Sequence, residues 1–589
     1  MARYYADIET DGLLPDVSVI HCLVLRDADN TNKVQSFTQA NLHEGLQDLY
    51  AAEEIIGHNW IGYDSKVIEK LHPWVLTLPS QPKVTDTLIL SQLIKPHIIE
   101  FDAAQQELPK KLWGSHSLKA WGLRLHCMKG DYEDGWEEFS QEMLDYCIQD
   151  TAVTGTIYQY LMQEKTDDRC ITLEHEMAEV CYNIGNNGWT FDRKKAEELY
   201  RKLSVERHEV NEELYDLFPP WIVEEPFVPK RDNKTLGYKK GEVFIKKRTV
   251  VFNPNSRPHI EHCLRQKYDW KPDKFTPSGK AQIDETTLGV LTDYPEAQKL
   301  ARFFLLQKRI GQLAEGPQAW MKVADDDGRI RHTIISQGTI SGRSAHRGPN
   351  LAQVPAARLP FGKECRELFT VPDGWHLCGS DLSGLELRCL AFFLNDPEYT
   401  KQILEGDIHT YNQNAAGLSS RDDAKRFIYS LIYGGGDKLI GEIAGGGPNK
   451  GRSLKKAFDA TVPAFARLKR NLQTASQRGH LIGLDGRHLY LRSEHKALSQ
   501  LLQSAGAILC KTWVLYIDRE LRKQFPQGEA YIVGWIHDEV QIACKTKEIA
   551  EHVGSSITAG MARKSGEAFK FNIPISSEYQ VGASWAETH

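Results

Sequence analysis

The stretch Val533–Ile542, VGWIHDEVQI, sets two apolar, strand-forming segments on either side of His537, Asp538 and Glu539. Carboxylates between apolar segments are costly to bury unless a cation meets them. A fold that accepts this stretch therefore needs further residues to join the acidic pair. Which residues those are depends on the rest of the chain.

With 589 residues there is enough chain for several domains with substantial cores. The 41% hydrophobic and 26% charged content is ordinary for a soluble globular protein. No apolar run is long enough to span a bilayer, and MARYYADIET lacks a signal-peptide pattern, so the expected location is cytoplasmic. The 11 cysteines are scattered without a C-x-x-C pair, which argues for free thiols over a disulfide framework or zinc ribbon. A net charge of −7 leaves a nucleic-acid role open only if positive charge is concentrated locally.

Such a concentration exists. Lys230–Arg248, KRDNKTLGYKKGEVFIKKR, holds eight basic and two acidic residues, a local charge of +6 that favours a phosphate-backbone contact. It follows a helical pattern in which Leu199, Leu203, Val210, Leu214 and Leu217 fall near one face. A second pattern, PEAQKLARFFLLQKRIGQL, comes after it, so two long helices joined by a basic loop would form an arm. Upstream, RYYADIE reads as strand and EMLDYCIQDTAVTGTIYQYLM as helix, with a polar boundary at Glu164–Cys170. From about Arg331 strands return, interrupted by helical segments between roughly His409 and Gln477. GGPNKGRS nearly fits a P-loop, but Arg452 stands in the lysine position and a helical pattern precedes it, so a loop is expected instead.

Asp7 and Glu9 lie two apart on the first strand, so both carboxylates point to one side. Tyr146 and Asp150 lie four apart on one helical face, and HNWIGYD supplies Asn59 and Asp64 between the two pairs. Singly, each acid reads as a surface charge or a cap. The ordered set D-x-E, N-x3-Y-D, Y-x3-D resembles the DnaQ-like 3′–5′ exonucleases. That resemblance implies that Asp7, Glu9, Asp64 and Asp150 hold two divalent metals and that Tyr146 orients the attacking water.

HLCGSDLSGLELRCLAFFL runs as a strand into Asp381 and then as a helix, with Ser383 and Glu386 in the S-x-x-E spacing of a capping box. Arg421, Lys425, Tyr429 and Tyr433 recur every four residues, drifting only about 40° per step along one helical stripe. Alone, that stripe is a partly packed helix face. Asp381, the stripe and HDE, in this order, resemble motifs A, B and C of family A DNA polymerases. QKRIGQLAEG, GRSAHRGPNLAQVP, SGLELRCLA, GDIHT, GLDGR and LLQSAGA sharpen the likeness toward the replicative enzymes of T-seven-like phages.

The resemblance implies a multidomain α/β and α+β protein: an N-terminal RNase H-like (DnaQ-type) exonuclease domain and a right-hand polymerase of palm, fingers and thumb. The expected segments are 1–165 exonuclease, 166–330 thumb and connecting helices with the basic loop 230–248, 331–400 palm first part, 401–500 fingers and 501–589 palm second part. It implies a DNA-directed DNA polymerase with 3′–5′ proofreading, using two Mg2+ in each site, with Mn2+ able to substitute. Asp381, Asp538 and the Leu382 carbonyl would hold the polymerase metals, with Glu539 a secondary acid nearby. Arg421, Lys425 and His409 would contact the triphosphate, Lys425 also assisting the leaving group. Tyr433 would lie against the nascent base pair, and Tyr429 would accept dideoxynucleotides. Glu386 would be the gate against a ribose 2′-hydroxyl. Arg343, Gln353 and Gln503 would read the minor groove of the primer–template, and His537 would touch the primer terminus. Primer–template DNA and dNTPs are the implied partners of a monomer, with a replicative helicase as a further candidate. The basic segment is too short to reproduce the thioredoxin-binding insertion of the T-seven enzyme, so a thioredoxin clamp is not expected. A single-subunit RNA polymerase would share the palm acids but not the N-terminal trio, and Glu386 opposes ribonucleotides. A nuclease with a non-catalytic DNA-binding module would not need Asp381, Asp538 and Lys425 together.

Overall fold

Asp7 and Glu9 sit on β1 (Arg3–Thr10), the central strand of a five-stranded sheet in the computed structural model, which describes residues 2–127, 132 and 135–589. β1 runs antiparallel to β2 (Ile20–Asp27), which pairs with β3 (Val34–Thr38). On its other side β1 is parallel to β4 (Glu54–Gly57), followed by β5 (Lys83–Asp86). Leu23, Leu25, Ile55 and Ile8 fill the core on one side. Helix α1 (Gln141–Leu161), capped by the Ser140 hydroxyl accepting from Met143 N, lies against β1. Gly155 permits that approach, since a Cβ there would come within 2.9 Å of the Tyr5 ring.

The chain divides into two units: residues 1–190, 331–354 and 370–589 form one, and 191–330 with 355–369 the other. The expected segment 166–330, thumb and connecting helices, is thus divided between the two units after residue 190. Helix α2 (Asp168–Asn187) belongs to the first unit because Leu173, Met177 and Val180 bury themselves in the same core as Cys378 and Ile542. Residues 355–369 likewise leave the expected palm for the second unit.

The second unit carries α3 (Arg193–Leu217) and, later, α4 (Pro295–Ile310). Of the predicted face of α3, Leu199, Leu203 and Leu214 are buried, while Val210 and Leu217 pack only partly. Leu214, Phe252, Ile260, Leu300 and Phe303 share one core. The basic segment is not a plain loop. It supplies the tip and second strand of an antiparallel hairpin, β6 (Trp221–Phe227) with β7 (Phe244–Val250).

In the first unit, four antiparallel strands form a second sheet. β8 (His376–Leu382) lies between β10 (Glu539–Cys544) and β11 (Ser577–Gly582), and β9 (Ala530–Ile536) flanks β10. Helix α5 (Leu385–Leu394) follows β8, as expected of HLCGSDLSGLELRCLAFFL, and α6 (Arg421–Ile432) lies within the expected helical segment. GGPNKGRS enters a helix, Pro448–Thr461, instead of forming a loop. The 28-residue helix α7 (Ala497–Gln524) buries Trp513, Val514 and Ile517. All 11 cysteines are free thiols. Among the described residues no helix is long and apolar enough to cross a membrane.

Candidate active sites

β8 ends at Leu382, one residue beyond Asp381, and β10 begins at Glu539. Register places Asp381 opposite Glu539, and Leu382 N donates to the Asp538 carbonyl at 3.0 Å. The turn joining β9 to β10 puts His537 at φ 59°, which swings Asp538 out of the strand pattern and beside Asp381. Segments about 150 residues apart thus bring two carboxylates together. Burial, then the Glu386 charge, and with them Asp381 push the Asp538 carboxyl up to about 6. Burial also raises Asp381, with Glu578 adding to it and His589 opposing. Hard carboxylate oxygens whose ionisation is disfavoured by burial and like charge are a donor set that a divalent cation such as Mg2+ suits. The residues present fit that group.

Glu539 is placed differently from an open metal ligand. Its carboxylate accepts from Trp585 Nε1 at 2.5 Å and Gln541 Nε2 at 2.6 Å, and His589 Nδ1 lies 3.0 Å away. Thr588 Oγ1 donates to Gln541 Oε1 at 2.8 Å. The segment Trp585–His589 therefore braces the acidic pair, a role that no spacing in GASWAETH announced.

Glu386 does not form the expected capping box. Gly384, at φ 57°, is the residue preceding α5, no side chain caps that helix, and the Ser383 hydroxyl donates to Glu578 at 3.3 Å instead. Glu386 turns toward the cavity, where its Oε1 accepts from the Tyr433 hydroxyl at 3.0 Å and lies 3.6 Å from an Arg343 nitrogen. These three residues, with Trp535, His537 and Asp538, line a cavity of about 220 Å3. Burial, then Glu386, pushes the Tyr429 phenol up to about 12, so it stays a hydroxyl donor at neutral pH.

The other predicted contacts are more dispersed. Arg421 Nε donates to Asp407 Oδ2 at 2.7 Å, and the His409 ring lies 6.3 Å from Tyr429. Burial, then Arg421 and Lys425, lowers the His409 imidazole. Lys425 stands exposed on α6 and Gln353 is exposed on a 3-10 turn. Gln503, half-buried on α7, donates to Ser499 Oγ at 3.0 Å.

Arg343 is carried by a loop pinned to a fully buried charge network. Glu174 on α2 accepts from Lys511 Nζ and the Ser336 hydroxyl, and an Arg487 nitrogen lies 2.7 Å from it. Arg487 also pairs with Asp485 at 2.6 Å and donates to Gln337 Oε1 at 2.9 Å. Burial opposes the Glu174 charge, but Lys511 and Arg487 overcome it and hold the carboxyl down at about 2.

On the five-stranded sheet, one ligand atom each from Asp7, Glu9 and Cys147 lies within 4.8 Å of the others. Cys147 Sγ donates to the Asp7 carbonyl at 3.4 Å and lies 3.5 Å from its Oδ2. Sequence reasoning passed over Cys147, although it sits between Tyr146 and Asp150 on the same helix. Asp64 Oδ1 accepts from Ile8 N at 3.3 Å, and burial, then Asp7, raises its carboxyl well above the usual range. Asp150 is buried on α1, and Tyr146 joins Tyr132 and Trp136, ring centroids 5.9 and 6.3 Å away. The Asp7, Glu9 and Asp64 carboxylates offer hard oxygens suited to divalent cations, with the softer Cys147 thiol beside Asp7.

Residues 235–587 match the model of DNA polymerase family A. The chain is 36% identical to the DNA-directed DNA polymerase of Enterobacteria phage T3, over 99% of this chain and 100% of that one. The corresponding enzyme of Escherichia phage T7 is 35% identical over the same shares. DNA polymerase I of Aquifex aeolicus is 24% identical over 99% and 96%. The fold is similar to the POL domain of Pol1 from M. smegmatis, solved in complex with DNA primer-template and dNTP: TM-score 0.75 and 17% identity over 99% of this chain and 96% of that one.

Proposed function

The chain belongs to DNA polymerase family A and is a DNA-directed DNA polymerase of the T7-like phage type, and from that premise we propose how its two acidic clusters divide the labour. Asp381 and Asp538 are the carboxylates of primer extension, with the Leu382 carbonyl beside them. The observation that carries this is their convergence at the junction of β8 and the β9–β10 turn, with both carboxyls raised by burial and like charge. Mg2+ held there would lower the pKa of the primer 3′-hydroxyl and hold the triphosphate, and Mn2+ would substitute.

The chain's own residues do the rest. Arg421, Lys425 and His409 form the triphosphate contacts of the α6 side; Arg421 is released from Asp407 when phosphate competes for it. Lys425 protonates the departing pyrophosphate. Glu386, fixed by Tyr433, narrows the cavity where a ribose 2′-hydroxyl would sit. Tyr429 presents its phenol to an incoming nucleotide lacking a 3′-hydroxyl. Arg343, Gln353 and Gln503 contact the minor-groove acceptors common to all correct pairs, and His537 meets the primer end. Glu539 supports the site through Trp585 and His589 rather than as an open ligand.

Asp7, Glu9, Asp64 and Asp150 form a 3′–5′ exonuclease site for two divalent cations, with Tyr146 orienting water. Substrates are primer–template DNA and dNTPs. The enzyme works as a monomer in the host bacterial cytoplasm, with a replicative helicase as a partner and without a thioredoxin clamp. Primer extension with dNTPs or rNTPs, with and without Mg2+, tests the reading. Mg2+-dependent dNTP extension supports it, and preferential rNTP extension would replace it with an RNA polymerase. The double substitution Asp7→Ala with Glu9→Ala is expected to abolish 3′ degradation while synthesis continues.

A further inference from the structure

The β6–β7 hairpin is built so that its acidic groups are consumed internally while cations remain at the tip. In the strands, Glu224 pairs with Lys247 at 2.8 Å and Glu225 with Arg248 at 3.8 Å. Lys246 Nζ stands 3.7 Å from the centre of the Phe227 ring. At the tip, residues 228–243 hold five basic and two acidic residues. Asp232 Oδ1 is occupied by the Lys240 backbone N–H at 2.7 Å, and Glu242 lies 3.8 Å from Lys239. Lys230, Arg231, Lys234 and Lys240 are exposed, and among the described residues none has an acidic partner.

The tip is a shaped element. Tyr238 packs between Phe227 and Phe244, ring centroids 5.5 and 4.6 Å away, and bridges back to Asn233. Gly237 and Gly241, at φ 72° and 80°, turn the chain where a side chain would be strained. At the root, Trp221 stacks on His262 at 4.8 Å and Val250 is buried. Between root and tip the strand residues are exposed or half-buried, so four cations are carried on a braced projection.

We propose that Lys230, Arg231, Lys234 and Lys240 grip the phosphate backbone of the DNA being copied, holding the enzyme on its substrate between insertions. The inference rests on the polymerase reading and adds a contact outside the nucleotide site. Charge selects this occupant: a tip of net +3 on a chain of net −7 is complementary to a polyanion. The exposed apolar residues do not favour a protein partner equally. On the face bearing Ile222, Pro226 and Ile245, the Glu224–Lys247 pair stands between Ile222 and Ile245, breaking any continuous apolar patch.

The test replaces all four residues: Lys230→Ala, Arg231→Ala, Lys234→Ala and Lys240→Ala. Affinity for a fluorescent primer–template is followed by anisotropy from 50 to 200 mM KCl. Each phosphate contact contributes a slope of about 0.9 in log K against log salt, so losing four lowers the slope by about 3–4. Across that fourfold rise in salt, wild type should weaken on the order of 100-fold more than the variant. Products made in one binding event, with unlabelled DNA as a trap, should shorten. A charge-retaining control, Lys230→Arg with Lys234→Arg and Lys240→Arg, should keep the wild-type slope, which separates lost charge from a damaged hairpin. Binding is read without turnover, so it remains informative even if synthesis were absent. Equal slopes and equal product lengths for wild type and the alanine variant would overturn the proposal. So would products that lengthen when thioredoxin is added and shorten again with Ile222→Ser and Ile245→Ser, which would make the hairpin a protein-docking site.

Discussion

Asp538 and Glu174 are both carboxylates inside the same unit, and the protein treats them in opposite ways. Glu174 receives Lys511, Arg487 and Ser336, and its carboxyl is held down at about 2. Asp538 faces burial, Glu386 and Asp381, and is pushed up to about 6. A charge that serves architecture is neutralised by the chain itself. On the proposed function, the Asp538 charge is left for a cation and a substrate to satisfy, at a cost in stability.

Asp381→Asn should break the chemical side of that contrast with the largest effect. Primer extension should fall on the order of 1,000-fold, several kcal/mol of transition-state stabilisation, while the melting temperature holds or rises because like charge is removed. A fall in both would mean that Asp381 is structural like Glu174. Glu174→Ala addresses the other side: it leaves Lys511 and Arg487 underpaired in the core and should cost about 3–5 kcal/mol in denaturant unfolding. A loss below about 1 kcal/mol would show that the network is dispensable.

The pH signature sharpens the comparison further. A carboxyl lowered from its ordinary 4.5 to about 2 in the folded state contributes stability that is complete above about 4.5 and lost as pH falls toward 2. Acid unfolding of wild type should therefore be steeper in that window than that of Glu174→Gln. Parallel curves would contradict the pairing. The smallest effect belongs to the cavity wall. Glu386→Ala should raise ribonucleotide incorporation about tenfold or more in a single-nucleotide assay, the scale of a removed steric discrimination. Unchanged sugar selectivity would remove Glu386 from that role.

Local pattern made the chemical side of the contrast legible. The apolar strand segments flanking HDE in VGWIHDEVQI, an aspartate at the end of HLCGSDL, and the i, i+2 spacing of Asp7 and Glu9 all survive in the fold because each is set by a few neighbouring residues. The architectural side was not legible. Glu174 and Lys511 are 337 residues apart, and neither segment hints at a buried pair. The same limit explains α2, placed in the 166–330 segment because its polar boundary is local while its core partners are distant. Glu386 shows a local rule overridden: S-x-x-E spacing suggested a cap, but Gly384 starts the helix a residue later and Tyr433, 47 residues on, claims the carboxylate. Cys147 and the bracing by Trp585 and His589 were missed because burial and long-range contact, not spacing, define them.

The central claim is that Asp381 and Asp538 act as one cation-holding unit. A double-mutant cycle in Mg2+-dependent single-turnover extension measures it, using Asp381→Asn, Asp538→Asn and both together. Residues that act as a unit lose nearly everything with the first substitution, so the double variant should be about as slow as either single one. Rate losses that multiply, each aspartate contributing independently of the other, would contradict the account.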